Sequence, residues 1–375
     1  MSTKITVALL FGGPSSEHSI SCATAGGVLA AIDRERFDVV PIGITRDGAF
    51  TLEDDDPAKF ALDAASLPVV ADNGTRILWP QSTLSRQLAV ALPDGSERVL
   101  GDVDIVFPIL HGPYGEDGTV QGMLELLGLP YVGSGVLASS LGMDKHFTKT
   151  VLTGVGIAVA PWVTVQAREW DESAAAVRAR AERLGLPVFV KPARAGSSVG
   201  VSRVDDWAEL PDAMAVALAE DSKVLIEAGV VGREVECAVL GGRPGQAPLA
   251  SVAGEIVVSG RGFYDFDAKY LGAPGVDLVC PAVLTDAQLA EIQELSVRAF
   301  EAIDGAGLAR VDFFLTEQGF VVNELNTMPG FTPISMFPKC WLASGLSYPE
   351  LITELIDVAL AWSEESRAAL PAGVE

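Results

Sequence analysis

The sequence predicts an α/β protein of several domains, the first of which is a doubly wound parallel sheet. The chain has 375 residues, more than twice the usual ~150-residue domain. Its first apolar run, Ile5 to Phe11, ends in a Gly-Gly-Pro turn, and a further apolar segment runs from Ile20 to Ile32. A strand, a loop and a helix in this order open a parallel sheet. Short apolar strands recur at Val39 to Ile44 and at Ile105 to Leu110.

The rest of the first domain, residues 1–134, contains one helix and one insertion. The helix is predicted from Thr119 to Leu127, after the turn Gly-Glu-Asp-Gly. Residues 46–100 are rich in Asp and Pro and show weak periodicity, which predicts a variable surface insertion.

The pattern of strands and helices changes near residue 135 and again near residue 229. Residues 135–228 are predicted to form a second domain, and strands dominate from 229 to 375. The predicted strands of these two domains are Trp162 to Val165, Val188 to Lys191, Val199 to Val204, Val224 to Glu227, Glu234 to Leu240, Leu249 to Val257 and a pair near 310 to 325. The predicted helices are one carrying Asp144 and Lys145, then Asp171 to Leu184, Leu210 to Ala219, Asp286 to Ile303 and Pro349 to Trp362.

Composition excludes several classes of protein. Hydrophobic residues make up 49% and charged residues 20%, which excludes a disordered chain. The 50 acidic and 26 basic residues give a net charge of −24, which argues against nucleic-acid binding. Four cysteines without CxxC spacing predict reduced thiols in a cytoplasmic protein. Glycine and proline interrupt every long uncharged stretch, so we expect neither a membrane span nor a secretory signal.

Two polar residues follow strands of the first domain at the edge where parallel sheets hold their sites. Glu17 comes after the first strand, and His111 follows the strand at 105. A capping or core histidine is the alternative for His111. The glycines after the first strand do not form GxGxxG, so a nicotinamide oxidoreductase is a weak alternative.

A hairpin near residue 317 is predicted to gather oxygen ligands. Arg310 and Asp312 lie on one strand, and a three-residue loop ending in Gly319 follows. That loop places Asp312 opposite Glu324 and Arg310 opposite Asn326, on one face. Two carboxylates and an amide suit Mg²⁺ when phosphates complete its shell. The alternative is a solvated acidic face balanced by the arginine.

A glycine and serine loop after Lys191 is predicted to cradle phosphate. Gly196, Ser197 and Ser198 supply N–H groups and hydroxyls, and the lysine supplies charge. The chain has no Gly-Lys dipeptide and a strand follows the loop, so this is not a P-loop. An ordinary hairpin turn is the alternative.

Further charged residues are candidates for the same ligand. Lys145 and Lys269 could add positive charge beside a triphosphate, whereas Glu227 and Glu234 could hold nucleotide sugar hydroxyls. Taken singly, each is an ordinary exposed residue. The glycine-rich and aromatic segment 259–274 predicts a lid over the site or, alternatively, a surface loop.

Eight segments in this order resemble the D-alanine–D-alanine ligase family of the ATP-grasp superfamily. They are FGGPSSEHSIS, HGPYGEDG, GSGVLASSLGMDKHFTK, VFVKPARAGSSVGVS, GREVECAVL, FYDFDAKY, ARVDFF and NELNTMPGFTPIS. The resemblance implies a three-domain ATP-grasp fold, in which two α+β domains, 135–228 and 229–375, clasp ATP. It also implies the joining of two D-alanines for peptidoglycan precursors, in a homodimer.

Carried over to matching positions, the resemblance implies a nucleotide site. Asp312, Glu324 and Asn326 would hold two Mg²⁺ ions, which Mn²⁺ could replace. The ATP contacts would be made by Lys145, Lys191, Ser197, Ser198 and Lys269 at the phosphates, Glu227 at the adenine edge and Glu234 at the ribose.

The resemblance also implies a substrate site. Glu17 would take the first ammonium group, and His111 would lie beside its carboxylate. The remaining contacts would come from Arg310 and the Gly330 N–H as an oxyanion site, Ser335 at the second carboxylate, and Tyr270 in the closing loop. Catalytic roles would fall to Glu17, Ser197, Arg310 and Ser335. The chain departs from many members at Ala195, where they carry a glutamate, which bears on the rigidity of the loop.

Two other functions fit the same motifs. One is another ATP-grasp carboxylate–amine ligase, including one that joins D-alanine to D-lactate. The other is a nucleotide-binding regulator without catalysis. Release of ADP that depends on D-alanine would separate the ligase from the regulator.

Overall fold

The computed structural model describes residues 4–62, 67–258 and 275–368, which form four sheets and their covering helices. The strands, in chain order, are β1 Ile5–Gly12, β2 Phe37–Ile44, β3 Phe50–Leu52, β4 Arg76–Leu78, β5 Gln87–Ala91, β6 Glu97–Asp102, β7 Ile105–Pro108, β8 Trp162–Gln166, β9 Val188–Pro192, β10 Ser202–Val204, β11 Lys223–Ala228, β12 Arg233–Leu240, β13 Leu249–Val258, β14 Val276–Val279, β15 Leu308–Thr316 and β16 Gly319–Asn326. The helices are α1 His18–Ala31, α2 Thr119–Leu127, α3 Val136–Met143, α4 Lys145–Gly154, α5 Ala167–Ala181, α6 Leu210–Glu220, α7 Asp286–Ala302, α8 Met336–Ala343 and α9 Tyr348–Ala368.

The first sheet has the strand order β3-β2-β1-β7. Strand β1 pairs in parallel with both β2 and β7, as the opening strand–loop–helix pattern predicted. Both faces of β1 are buried, and Phe11 packs edge-on against Phe60 with ring centroids 4.8 Å apart. The carboxyl ends of β1 and β7 therefore deliver the segments that carry Glu17 and His111 to one edge.

The segment 46–100 contains more regular structure than its weak periodicity indicated. It supplies β3 to the first sheet, and β4, β5 and β6 form a separate antiparallel sheet. Leu88 and Val90 on β5 are buried against Leu10 of β1. Strands of 3 to 6 residues are too short to show a period of two clearly in sequence.

Strands β8 to β11 form an antiparallel sheet with the order β10-β9-β11-β8. The strand predicted from Val199 begins only at Ser202. Ser197, Ser198 and Gly200 hold positive φ angles of 49°, 59° and 73°, so this part of the chain turns instead of extending. The helix predicted from Asp171 begins earlier, at Ala167, and is kinked at Ser173.

The C-terminal part of the chain forms a five-stranded sheet, named the third sheet below, with the order β14-β13-β12-β15-β16. The predicted hairpin is present, but its loop has two residues instead of three, because Gly319 pairs with Thr316. Helix α8 was not predicted from sequence. Its proline, Pro338, lies in the first turn, where a missing N–H is tolerated.

One large core joins the first and third sheets. Phe107 of β7 packs against Phe331, whose ring lies 5.8 Å from that of Phe337 on α8. The packing fixes the strand ends of the first domain against the segment that enters α8. Within the described residues, no helix has both the length and the apolar character needed to cross a membrane.

Candidate active site

Two adjoining cavities lie where the sheets meet. The first cavity, of about 310 Å³, is lined by Glu17, His111, Arg310, Asn326, Gly330 and Ser335 among others. The second cavity, of about 270 Å³, is lined by Lys191, Ser198, Glu227 and Glu234 among others. Among the described residues, Lys145, Ala195, Gly196, Ser197 and Glu324 line both cavities. The structure thus brings together most of the site residues that were predicted from the sequence.

The remaining nominated residues fall in two groups. Asp312 lines neither large cavity but lies directly behind Arg310. Lys269, Tyr270 and the rest of the predicted lid, 259–274, lie outside the described residues.

The β15–β16 hairpin places its charged residues in the predicted register. Asp312 is opposite Glu324, and Arg310 is opposite Asn326. The Arg310 guanidinium donates two hydrogen bonds of 2.7 Å to the Asp312 carboxylate, and the Asn326 amide donates a third of 3.0 Å. Asp312 is only 7% exposed and is paired with Arg310, so this carboxylate is not solvated, whereas Glu324 remains partly exposed.

The donor set of this hairpin fits Mg²⁺. Asp312 and Glu324 both line a small cavity of about 40 Å³, which is room for a single ion or water. Carboxylate and amide oxygens are hard ligands of the kind that Mg²⁺ takes alongside phosphate. Among the described residues no three His, Cys, Asp or Glu side chains cluster as a complete metal site, so phosphate oxygens would have to complete the shell.

The loop after β9 is shaped by close contacts. A Cβ atom at Gly196 would lie 2.9 Å from Glu17 Oε2, so a side chain at this position would clash with a buried carboxylate. Lys145 Nζ donates to the carbonyl oxygen of Ala195 at 2.7 Å. At the start of the loop, Asp221 accepts hydrogen bonds from the backbone and guanidinium of Arg194. Ala195 therefore contacts Lys145 through its backbone carbonyl. The Arg194–Asp221 hydrogen bonds anchor the loop although residue 195 is not a glutamate.

A buried ion triad lies at the second cavity, where Lys191 and Glu227 line the wall. Glu227 accepts from Lys191 and pairs with Lys149, each at 2.9 Å. Burial by itself would raise the pKa of Glu227, but Lys191 and Lys149 outweigh it and the pKa is lowered. The reading of Glu227 as solvent-exposed is wrong, since it is 3% exposed. Sequence reasoning missed Lys149, although its position one helical turn after Lys145 was a usable signal.

Glu17 and Ser197 connect the first domain to the loop. The Ser197 hydroxyl donates to Glu17 Oε1 at 2.5 Å, across 180 residues of sequence. His111 lies beside them, with its Nδ1 3.2 Å from the carbonyl oxygen of Met328. Burial lowers the pKa of His111 and Arg310 lowers it further, against the opposing charge of Glu17. The imidazole is therefore neutral near pH 7.

Glu116 is a site residue that sequence reasoning treated as part of a turn. It lines the first cavity and accepts a hydrogen bond of 2.5 Å from the Gly112 N–H. Burial raises its pKa to about 8, and the nearby charge of Glu17 adds to the effect. This end of the first cavity is therefore rich in carboxyl groups.

The opposite end of the first cavity lies at the start of α8. Ser335 precedes the helix, and its hydroxyl is 2.7 Å from that of Thr332. Lys339 and Glu236 also line this cavity, and neither was nominated from sequence. Glu236 pairs with Arg310 at 3.1 Å, so the guanidinium is held from two sides. Hydroxyls, an arginine and a lysine make this end suitable for an anionic group.

The four sheets with their covering helices and the charged cleft between them define the ATP-grasp class of ligases, whose members use ATP as a substrate. A family model described as "D-ala D-ala ligase N-terminus" matches residues 6–134, and one described as "D-ala D-ala ligase C-terminus" matches residues 151–357. The chain therefore belongs to the D-alanine–D-alanine ligase family, and it is an enzyme of the ligase class.

Curated relatives and solved structures agree with this assignment. A D-alanine–D-alanine ligase of Pseudarthrobacter chlorophenolicus is 52% identical over 360 residues, which are 95% of this chain and 94% of that protein. One of Mycobacterium sp. strain KMS is 53% identical over 362 residues, 95% of this chain and 96% of that protein.

Two solved structures are similar along almost their whole length. The D-alanine–D-alanine ligase from Coxiella burnetii has a TM-score of 0.81 and 34% identity, and the match covers 97% of this chain and 96% of that one. The VanG D-Ala:D-Ser ligase from Enterococcus faecalis has the same TM-score and identity, with 95% and 100% covered. The resemblance found in the sequence is confirmed.

Proposed function

We propose that this enzyme joins two D-alanines to D-alanyl-D-alanine for peptidoglycan precursors and converts ATP to ADP and phosphate. The observation that carries the proposal is the contrast between the two adjoining cavities. One end of the first cavity presents carboxyl groups suited to an ammonium ion, whereas the second presents lysines suited to phosphates. The shared residues lie between them, where a carboxylate can meet the terminal phosphate.

In the proposed reaction the first D-alanine is activated and then captured. Its carboxylate attacks the γ-phosphorus of ATP to give D-alanyl phosphate and ADP. The amine of the second D-alanine then attacks the carbonyl carbon, and phosphate leaves. Because anion must approach anion in the first step, positioning and electrostatic stabilisation account for most of the rate.

The residues around the shared wall neutralise charge in the first step. We assign Lys145 and Lys191 to the ATP phosphates, together with the N–H groups and hydroxyls of Ser197 and Ser198. Lys145 Nζ lies 3.7 Å from Glu324 Oε2, so it sits between the loop and the hairpin. Glu227 holds Lys191 in place and is assigned to the adenine edge, and Glu234 to the ribose.

We assign Asp312, Glu324 and Asn326 to two Mg²⁺ ions. When bound, Mg²⁺ would neutralise the phosphate oxygens and orient the terminal phosphate. The role of Arg310 in the hairpin is separate, because its guanidinium is fixed by Asp312 and Glu236 and points into the first cavity. With the Gly330 N–H it would stabilise the oxyanion that forms when the amine attacks.

The amino acids are assigned to the two ends of the first cavity. Glu17, held by Ser197, would take the ammonium group of the first D-alanine. Neutral His111 would lie beside its carboxylate without forming a competing ion pair. Ser335, at the start of α8, would bind the carboxylate of the second D-alanine.

Phosphate and ADP release with ATP, Mg²⁺ and a panel of D-alanine, L-alanine, D-serine and D-lactate tests the function. We expect release only with D-alanine in the first position and D-alanyl-D-alanine as the main product. D-Serine is tested separately as the second substrate, because the VanG relative is named for D-Ala:D-Ser ligation. No D-alanine-dependent ADP release would favour the nucleotide-binding regulator, and mostly D-alanyl-D-lactate would favour the ester-forming ligase.

We also propose a homodimer in the cytoplasm. The support is the family resemblance and the four free cysteines, which suit a reducing compartment. Sedimentation of the purified protein tests the dimer, and fractionation of the source cells tests the location.

A further inference from the structure

Two of the four cysteines lie in contact. The Sγ atoms of Cys280 and Cys340 are 3.8 Å apart, although the residues are separated by 60 positions. Both thiols are free. The residues belong to different elements, because Cys280 directly follows β14 and Cys340 lies in α8.

Both elements also line the first cavity. Asp277 and Leu278 of β14 contribute to its wall, and so do Met336 and Lys339 of α8. Ser335, which precedes α8, is the residue assigned to the second carboxylate. A covalent link between the two elements would therefore act on this end of the cavity.

The two thiols differ in exposure and in the direction of their pKa shifts. Their mutual hydrogen bond lowers the pKa of Cys280, and the charge of Lys339 lowers it further. Cys340 is 1% exposed, whereas Cys280 is partly accessible. Their hydrogen bond and burial raise the pKa of Cys340. The remaining cysteines, Cys22 and Cys237, are completely buried, and burial raises their pKa values to about 12 and about 11.

We propose that Cys280 and Cys340 form a modification site at which hydroperoxides oxidise two thiols to a disulfide that ties β14 to α8. Cys280 is the thiolate that reacts first, because nucleophilicity and access favour it. Cys340 is the resolving thiol. A reversible disulfide of this kind is the form that thiol oxidation takes in reducing compartments.

The chemistry balances with the hydroperoxide as oxidant. The Cys280 thiolate attacks one peroxide oxygen, an S–O bond forms, the O–O bond breaks, and water or an alcohol leaves after protonation. Cys340 then attacks the sulfur of the sulfenic acid. The S–S bond forms, the S–O bond breaks, and hydroxide leaves with the Cys340 proton as water. The two thiols together lose two electrons and two protons, which the peroxide takes up.

Formation of the bond must move the elements that line the cavity. The sulfurs approach from 3.8 Å to about 2 Å in a disulfide. Since a misplacement of about 1 Å can reduce a rate by about a hundredfold, we expect roughly a tenfold loss of kcat/KM for the second amino acid. ATP affinity should be unchanged, because no described residue of β14 or α8 lines the second cavity.

Peptide mass spectrometry after treatment of the full chain with hydrogen peroxide tests the chemical step. We expect a cross-linked pair of peptides containing Cys280 and Cys340, two hydrogens lighter than the reduced pair and separated again by dithiothreitol. Oxidation of Cys280 to sulfinic acid without a cross-link, or a cross-link to another cysteine, would overturn the proposal.

Three variants control the result. In Cys340→Ala, oxidation of Cys280 should stop at the sulfenic acid, which dimedone traps. In Cys280→Ser, which removes the more accessible thiol, we expect neither sulfenic acid nor cross-link. Cys237→Ala is the matched control, because it removes a buried thiol outside the pair and should leave the cross-link unchanged. A cross-link that survives Cys280→Ser overturns the proposal even if Cys340→Ala fails to fold.

Turnover before and after oxidation tests the effect on the cavity, and this arm rests on the proposed function. The loss should be reversed by dithiothreitol and absent in Cys280→Ser. If kcat/KM for the second amino acid is the same before and after oxidation, the proposed effect of the disulfide on the cavity is wrong. A reduced enzyme without D-alanine-dependent turnover would instead refute the proposed function, and the mass measurement would still decide whether the disulfide forms.

Discussion

Each cavity holds a glutamate whose pKa is shifted, but the two shifts have opposite directions. In the second cavity, Glu227 has Lys191 and Lys149 within 2.9 Å, and its pKa is lowered. In the first cavity, Glu116 has another carboxylate, Glu17, nearby and its pKa rises to about 8. Burial favours the neutral form of a carboxyl group in both places. The neighbours decide the outcome, so the glutamate of the second cavity is an anion held by two lysines, whereas the glutamate of the first keeps its proton to a higher pH.

The largest expected effect comes from Glu324, which lines both cavities. We predict that Glu324→Gln lowers turnover by at least about a thousandfold, because it removes one of two carboxylates from the proposed metal set without changing volume. ADP release at saturating ATP and Mg²⁺ measures the loss, and the melting temperature checks the fold. Glu317→Gln, an exposed carboxylate in the turn of the same hairpin, should behave like wild type. Near-normal turnover in Glu324→Gln would refute the metal assignment.

Lys191→Ala should separate the two cavities functionally. We expect ATP affinity to fall roughly tenfold to a hundredfold, since a charge-assisted contact to phosphate is lost, while D-alanine affinity changes little. Glu227 keeps Lys149 as a partner, so the fold should survive. Calorimetric titration with each ligand separately gives the comparison. Arg203→Ala, an exposed residue on the neighbouring strand β10, is the control, and equal losses for both ligands would indicate a folding defect.

Glu236 tests whether Arg310 needs both of its carboxylate partners. Glu236→Gln should lower kcat by about tenfold with little change in KM for ATP, because the guanidinium keeps Asp312 but loses its second anchor. Steady-state kinetics measure the split. Glu255→Gln on the adjacent strand β13 removes a carboxylate that pairs with Arg233 outside both cavities, and should have no such effect. A rise in KM for ATP alone would contradict the positioning role.

The smallest effect concerns the pH dependence of stability. Unfolded Glu116 would lose its proton near the ordinary pKa of 4.5, whereas the folded protein holds it up to about pH 8. Because the folded state then binds more protons, the free energy of unfolding should fall as pH rises from 5 to 8, by a few kcal/mol at most. Glu116→Gln should flatten this slope in melting curves across that range. Asp117→Asn, at the next residue, should keep it, and an equal slope in Glu116→Gln would show that other groups cause it.

Periodicity was enough for the parallel strands of the first sheet and for the two strands of the hairpin. The expected three-residue loop placed Asp312 opposite Glu324, and the structure has that register, but it reaches it through a two-residue loop and an irregularity between Asp312 and Phe313. The helix from Thr119 to Leu127 begins and ends where the sequence indicated. Both features depend on neighbours within about fifteen residues, which is the range over which local patterns carry information.

The residues that were missed share a different property. Glu116 and Glu236 sit among ordinary turn and strand residues, and nothing local distinguishes them. Lys149 is marked locally only by its position one helical turn after Lys145. Each acquires its role from a partner far along the chain, as Lys149 does from Glu227 and Glu236 from Arg310. Periodicity cannot report such pairs, because it contains no information about which loops meet.

The sequence by itself determined the parallel strands of the first sheet, the side chains that share the hairpin face and, through eight ordered motifs, the family, but not β3 to β6 or helix α8. Only the tertiary structure decided which charges neutralise one another and which groups stay neutral. Lys191 meets Glu227 across 36 residues, and Glu17 meets Ser197 across 180. The physical reason is that burial and Coulomb interactions depend on distance in space. The same glutamate side chain is therefore an anion beside two lysines and a weak acid beside another carboxylate.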